Sequence, residues 1–199
     1  MPPGRTQVMQ PNPTNAMPRI PLLDETSHPQ LRPLVDRVKS QRNGRCNALY
    51  RCLLNSPPVA EAWLQFFTTV RQGTELPGDI RELVILQTSA LNGANEEFEA
   101  HVPLALKEGL TPEQVNALPA WTDSGLFDAA HAAALAWCDS VTRDVTVSDA
   151  VFAGVRAMFD DKLLLELTVT IAAYNMVART VNGLQIVYEA AQPASGMSA

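Results

Sequence analysis

Glu97 and His101 lie four residues apart in the run Glu97-Phe98-Glu99-Ala100-His101. At about 100° per residue, four residues of helix turn through about 400°, so both side chains project from one face, one turn apart. A carboxylate so placed can fix the tautomer of an imidazole and raise its basicity, which is how a proton-transfer pair is commonly built. Glu82 lies upstream, in a segment where Ile80, Leu83, Val84, Ile85, Leu86, Ala90 and Leu91 put apolar residues on every side, the pattern of a helix buried all round. A carboxylate there is desolvated, which pushes its pKa upward unless a cation or donor is near. Asn92-Gly93 then breaks the helix, and a turn at that point folds the next helix back beside the first and brings Glu82 towards His101. Two other readings use the same residues. An exposed Glu97–His101 pair would be an ordinary surface contact worth a few tenths of a kcal/mol. Two carboxylates and an imidazole could also form a three-ligand metal site, but no second histidine is placed to join them.

The elements that must position these groups are helical. Pro103, two residues past His101, cannot donate to the carbonyl of Glu99 and leaves polar backbone free beside the histidine. Gly109-Leu110 reads as a helix stop followed by its hydrophobic contact, and Thr111-Pro112-Glu113-Gln114 as a capping box. Upstream, apolar positions predict helices over 28–42, 47–54 and 57–72, the third bearing the stripe Trp63, Phe66 and Phe67, which suits a core, a pocket wall or a subunit contact. Downstream, helices are predicted over 128–144, 149–159 and 160–182, with a loop over 121–127 and Gly183 at the end of the last. His131 has no carboxylate at i±4 and reads as a hydrogen-bonded core histidine. Cys138 lies on an apolar face and reads as core. The last helix carries a sparse polar line, Thr168, Asn175, Arg179 and Asn182, that needs partners, and a ligand pocket would supply them. Arg179 could grip a substrate carboxylate through a two-pronged hydrogen bond, or form a salt bridge within or between subunits. No strand alternation stands out, so the expected fold is all-α.

Arg81-Glu82-Leu83, the Asn-Gly turn, Glu97 with His101, then Pro103, Ala105 and Gly109-Leu110-Thr111 resemble the carboxymuconolactone decarboxylase family, which also contains the AhpD-type alkylhydroperoxidases. The likeness extends from about Pro18 to Gln185, through Arg19-Ile20-Pro21-Leu22 and the run Tyr174-Asn175-Met176-Val177-Ala178-Arg179. It implies an AhpD-like helical bundle built around a central helical hairpin. The peroxidase branch carries Cys-x-x-Cys four residues before the histidine, where this chain has Ala94 and Glu97. Without a thiolate and its resolving partner, thiol-based peroxide reduction has no route, so the match is to the cysteine-free, decarboxylase-like branch. The resemblance implies cofactor-free decarboxylation and proton transfer on a small carboxylated lactone or oxo-acid, in aromatic-compound catabolism, with no metal. His101 is then assigned proton transfer, Glu97 the orientation of His101, and Glu82 a supporting or relay role, with Arg179, Asn175 and Tyr174 as substrate-binding residues. It also implies a homo-oligomer, as a dimer, trimer or hexamer. A non-catalytic oligomeric module that binds a small ligand is the alternative.

The 199 residues fit one domain, expected over 18–190, between a flexible proline-rich arm (1–17) and a flexible tail (191–199). A net charge of -6 and the absence of a clustered Lys/Arg surface argue against a nucleic-acid partner. The longest apolar segment, 163–181, is interrupted by Glu166, Asn175 and Arg179 and reads as a buried helix rather than a membrane span. Cys46, Cys52 and Cys138 lack metal-ligand spacing, and no export signal is visible. The expectation is reduced thiols in the cytoplasm.

Overall fold

The computed structural model describes residues 17–188. The expected arm, apart from Met17, and the expected tail lie outside them. Among the described residues every regular element is helical: α1 Arg32–Gln41, α2 Ala48–Leu53, α3 Pro57–Gln72, α4 Gly78–Leu91, α5 Asn95–Lys107, α6 Pro112–Asn116, α7 Ala129–Arg143, α8 Asp149–Arg156 and α9 Asp161–Leu184, with short 3-10 turns at Pro29–Leu31 and Trp121–Asp123. The all-α expectation therefore holds. The second 3-10 turn falls where the sequence predicted only loop.

The chain divides into two compact units, one of residues 66–183 and one of residues 17–65 with 184–188. In the smaller, the Arg19 N–H donates to the Leu184 carbonyl at 2.9 Å and the Leu23 N–H to that of Arg51 at 3.0 Å. Asn47 caps α2 by accepting from the Tyr50 N–H.

The larger unit is organised on α4, whose residues from Leu83 to Leu86 are completely buried. A helix apolar on all sides must be surrounded, and α5 packs on one side of it and α7 on another. Ile80 and Val84 join Trp137 and Cys138 of α7 and Leu167 and Ile171 of α9 in one apolar cluster. Leu83 and Leu86 join Ala105 of α5, Leu110, Val115 of α6 and Leu135 of α7 in another. The polar side chains of α4 are buried with it and need partners. Gln87 donates to Asp139 at 2.6 Å, and the Thr88 hydroxyl lies 3.2 Å from the Cys138 sulfur.

Two glycines set the hairpin. Gly93 takes a left-handed φ of 63°, while its N–H bonds the Ala90 carbonyl and that of Ala94 reaches back to Ser89. This pattern of paired closing bonds ends α4 and reverses the chain. Gly109, at φ 108°, repeats it after α5, with the Leu110 N–H bonding the Ala105 carbonyl and Leu110 delivered to the core. α5 itself continues through Pro103. The capping box is complete: Thr111 accepts from the Gln114 N–H and Gln114 from the Thr111 N–H. Replacing Thr111 with alanine is expected to cost about 1 kcal/mol, read as a lower urea midpoint; an unchanged midpoint would show that the cap contributes nothing.

α1 starts later and α8 ends earlier than expected, and the end of α9 differs in kind. α9 runs through Gly183 to Leu184, and Gln185 instead takes the positive φ, 54°. The Asn182 amide donates to the Asn92 carbonyl at 2.9 Å, which holds the last turn in place past the glycine.

Candidate functional site

Glu82 in the second turn of α4, Glu97 in the first turn of α5 and His101 one turn later are 3%, 6% and 4% exposed. The hairpin brings all three together. Nδ1 of His101 lies 2.6 Å from a Glu82 oxygen, and Nε2 lies 3.3 Å from a Glu97 oxygen. The short hydrogen bond is accepted by Glu82, across the hairpin, and the longer ion-pair contact is with Glu97, one turn away on the same helix.

A neutral imidazole has one N–H, whereas here each ring nitrogen faces a carboxylate oxygen, so only the doubly protonated ring can donate to both. Burial works against that charge more than any other single influence, but the bonds its N–H groups donate towards Glu82 and Glu97, and the negative charges of those groups, outweigh it and hold the pKa of His101 above its ordinary 6.5. For Glu82 too burial is the largest influence, and it raises the pKa. The His101 bond and the charges of His101, Arg81 and Arg71 together prevail, and the carboxyl sits below its ordinary 4.5. The upward shift expected from burial alone is overturned, because a donor and a cation are present. Glu97, within the first turn of α5, also lies where the helix dipole favours an anion.

Charge balance accounts for Arg81, whose role sequence reasoning missed. Two carboxylates and one imidazolium leave one negative charge in a buried place, and such a charge needs a counter-ion. The Arg81 Nε lies 3.4 Å from Glu82, with its side chain 14% exposed, while its Nη2 lies 3.5 Å from Glu108. Gly78 leaves the room: a Cβ there would lie 1.9 Å from a Glu108 carboxylate oxygen. The signal was in the sequence, as an arginine next to a glutamate on an otherwise apolar helix.

Tyr174 of α9 packs its ring against His101 edge-on, centroids 5.1 Å apart, and Phe67 of α3 packs on Tyr174 at 5.8 Å. Burial pushes the Tyr174 phenol pKa far upward, so it remains an O–H donor. The other two expected substrate-binding residues are engaged elsewhere. Arg179 donates to the Asn92 side chain at 3.2 Å and to the Asn175 carbonyl at 3.0 Å, and Asn175 donates to Thr142 at 3.0 Å. They border an open groove of about 580 Å³ with Val141, Ala172 and Met176, and bond the turn between α4 and α5 rather than the triad.

His131 is hydrogen-bonded, as expected, but its partner is Asp79 of α4 at 3.2 Å. Among the described residues no group of three or more His, Cys, Asp or Glu side chains is arranged to hold a metal ion. All three cysteines are free thiols; burial pushes the pKa of Cys46 up to about 11 and that of Cys138 up to about 12, so both stay protonated at neutral pH. Among the described residues no helix is long and apolar enough to cross a membrane.

Residues 57–140, which carry α4, the hairpin and the triad's three members, match the model of the carboxymuconolactone decarboxylase family. A protein of unknown function from Agrobacterium tumefaciens, provisionally assigned to antioxidant defence as AhpD, superposes with a TM-score of 0.64 at 26% identity, over 72% of this chain and 96% of its own. Over residues 57–140 the chain is similar to the carboxymuconolactone decarboxylase family, and it shares the AhpD-like helical fold. Two further members of that fold are similar in structure alone. The debrominase Bmp8, in complex with 2,3,4-tribromopyrrole, has a TM-score of 0.71 at 18% identity, covering 89% of this chain and 92% of its own. An uncharacterized peroxidase-related protein from Silicibacter sp. TM1040 has 0.70 at 16%, covering 94% and 96%. No curated protein sequence matches the chain.

Proposed function

We propose that the chain is a decarboxylase-like member of the carboxymuconolactone decarboxylase family, acting without a cofactor on a small carboxylated lactone or related oxo-acid, as in aromatic-compound catabolism. The observation that carries the reading is the geometry of His101, whose two ring nitrogens each face a buried carboxylate oxygen, an arrangement that favours the imidazolium. Loss of carbon dioxide breaks a carbon–carbon bond, and the electron pair moves onto a conjugated carbonyl. A proton must then be returned to the carbon, and a ring kept protonated inside the protein is a loaded donor. The 2.6 Å bond to Nδ1 supports Glu82, rather than the Glu97 expected from the sequence, as the group that orients the ring. The longer 3.3 Å separation at Nε2 supports that nitrogen as the one that gives up its proton, with Glu97 relaying a replacement.

Peroxide reduction of the AhpD type lacks support here. Ala94 and Glu97 stand where a Cys-x-x-Cys would be, and the buried Cys138 is held as a thiol. A debrominase neighbour is a reminder that one fold accepts more than one chemistry. The test is carbon dioxide release from a panel of lactone and oxo-acid carboxylates by wild type and His101→Gln. Release by the wild type that falls about 10²-fold or more in the variant is expected. Full turnover by His101→Gln, or no release from any compound, would overturn the reading.

A further inference from the structure

The reaction proposed above moves negative charge onto a carbonyl oxygen, and the triad offers that oxygen nothing. Both nitrogens of His101 already face carboxylates, and Arg81 is engaged by Glu82 and Glu108. Two other groups beside the triad are uncommitted. Tyr174 is 2% exposed and touches His101 through its ring, yet among the described residues its hydroxyl has no hydrogen-bond partner. That oxygen is not one of the sealed polar atoms of the described interior, so the remaining exposure of this residue lets its O–H meet an entering acceptor. Arg71 is the second. It lies one helical turn beyond Phe67 on α3, on the face that Phe67 uses to meet Tyr174, because residues four apart share a side of a helix.

Arg71 is half-buried, and among the described residues its guanidinium makes neither a hydrogen bond nor an ion pair. It is close enough for its charge to act on both neighbours, lowering the pKa of Glu82 and opposing the burial-driven rise of Tyr174. A cation that is felt by a buried glutamate and yet bonds no carboxylate is available for another anion.

We propose that Arg71 and the Tyr174 hydroxyl form a donor pair that receives the oxygen onto which charge moves as the substrate loses carbon dioxide. The inference rests on the decarboxylase reading and deepens it by assigning the oxyanion site. Preorganised donors aimed at a developing charge, with water excluded, are commonly the largest single source of rate enhancement. Tyr174 packs edge-on against His101 and Arg71 lies on another helix, so the proton donor and the oxyanion donors are different residues. The bond changes balance: the carbon–carbon bond breaks, its electron pair resides on the enolate oxygen held by Arg71 and Tyr174, and the proton from His101 then goes to carbon. The assignment also replaces Arg179 as the arginine of the site, since Arg179 is bonded to Asn92 and Asn175.

Tetronate, the stable enolate of a five-membered lactone, mimics the charged intermediate, and 4-methoxy-2(5H)-furanone is its neutral counterpart. Calorimetric titration of the full chain with each is expected to show tetronate binding about tenfold or more tightly, as a charge-assisted hydrogen bond implies. Arg71→Gln should remove that preference, Tyr174→Phe should reduce it, and Arg71→Lys should restore part of it. Because Arg71 makes no bond within the described residues, Arg71→Gln should leave the melting temperature within about 2 °C, whereas a role confined to the end of α3 would change stability and leave the preference intact. Equal binding of the two compounds, no binding of tetronate, or an unchanged preference in Arg71→Gln would overturn the assignment. The two failures separate. Tetronate recognition lost in Arg71→Gln, in a protein that releases no carbon dioxide from any compound, keeps the anion site and discards the decarboxylase; His101-dependent release with Arg71-independent binding does the reverse.

Discussion

Replacing His101 with alanine is expected to lower the stability of the protein by about 3–5 kcal/mol, because it leaves two buried carboxylates facing each other without the cation between them. Glu82 and Glu97 are 3% and 6% exposed, so water cannot take over the role of the ring, and Arg81 already divides itself between Glu82 and Glu108. Urea denaturation should show a lower midpoint at an unchanged slope. The decisive comparison is a triple variant, Glu82→Leu, Glu97→Leu and His101→Phe, which removes all three charges. Breaking a buried ion pair is costly, whereas replacing the whole of it by apolar groups of similar volume is often neutral or stabilising. The triple variant is therefore expected to recover most of what His101→Ala loses while remaining inactive. That outcome would mean the charges are kept for chemistry and not for the fold. A triple variant less stable than His101→Ala would make the triad a structural anchor and remove the main support for a catalytic site.

The parts of this architecture that were legible in the sequence are those fixed by local rules. Asn92-Gly93 and Gly109-Leu110 announce helix ends because a left-handed residue is needed there, and both glycines take it. Thr111 with Gln114 announces a capping box that is present. Glu97 and His101 share a face by helical period alone, and the reversal at Gly93 is enough to direct α5 back along α4. What was not legible depends on contacts between segments far apart in the chain. The pKa of Glu82 falls because the condition left open in the sequence is met: the hairpin sets His101 against it, with Arg81 beside it. The polar line of Asn175 and Arg179 needs partners, and those it has are Asn92 of the hairpin turn and Thr142 of α7, while both residues also border the open groove. Arg71 was invisible for the opposite reason: nothing in a sequence marks an arginine that has no partner.

Stability is expected to be greatest between about pH 4.5 and 6.5 and to fall on both sides, by opposite mechanisms. His101 has its pKa raised from 6.5, so the folded state binds its proton more tightly than the unfolded state. Its contribution is fully present below 6.5 and is lost as pH rises through the folded value. Glu82 has its pKa lowered from 4.5, so the folded state prefers the carboxylate. Its contribution is fully present above 4.5 and is lost as pH falls through the depressed folded value. The two groups share a 2.6 Å hydrogen bond, so they titrate as a pair and each limb belongs to the pair. Asp24, Glu25 and Asp128, whose pKa values are also lowered, add to the acid limb. The raised Cys46, Cys52, Cys138, Tyr174, Lys39 and Lys162 lose their contributions only above their ordinary values of 9.0 or more, so the alkaline limb that reads His101 is the part below pH 9.0. Melting temperatures measured across this range should show that limb disappear in a Glu82→Gln, His101→Gln double variant, while part of the acid limb persists. An alkaline limb that survives in the double variant would mean that His101 is not the proton-loaded group, and the proton donor would then have to be sought elsewhere.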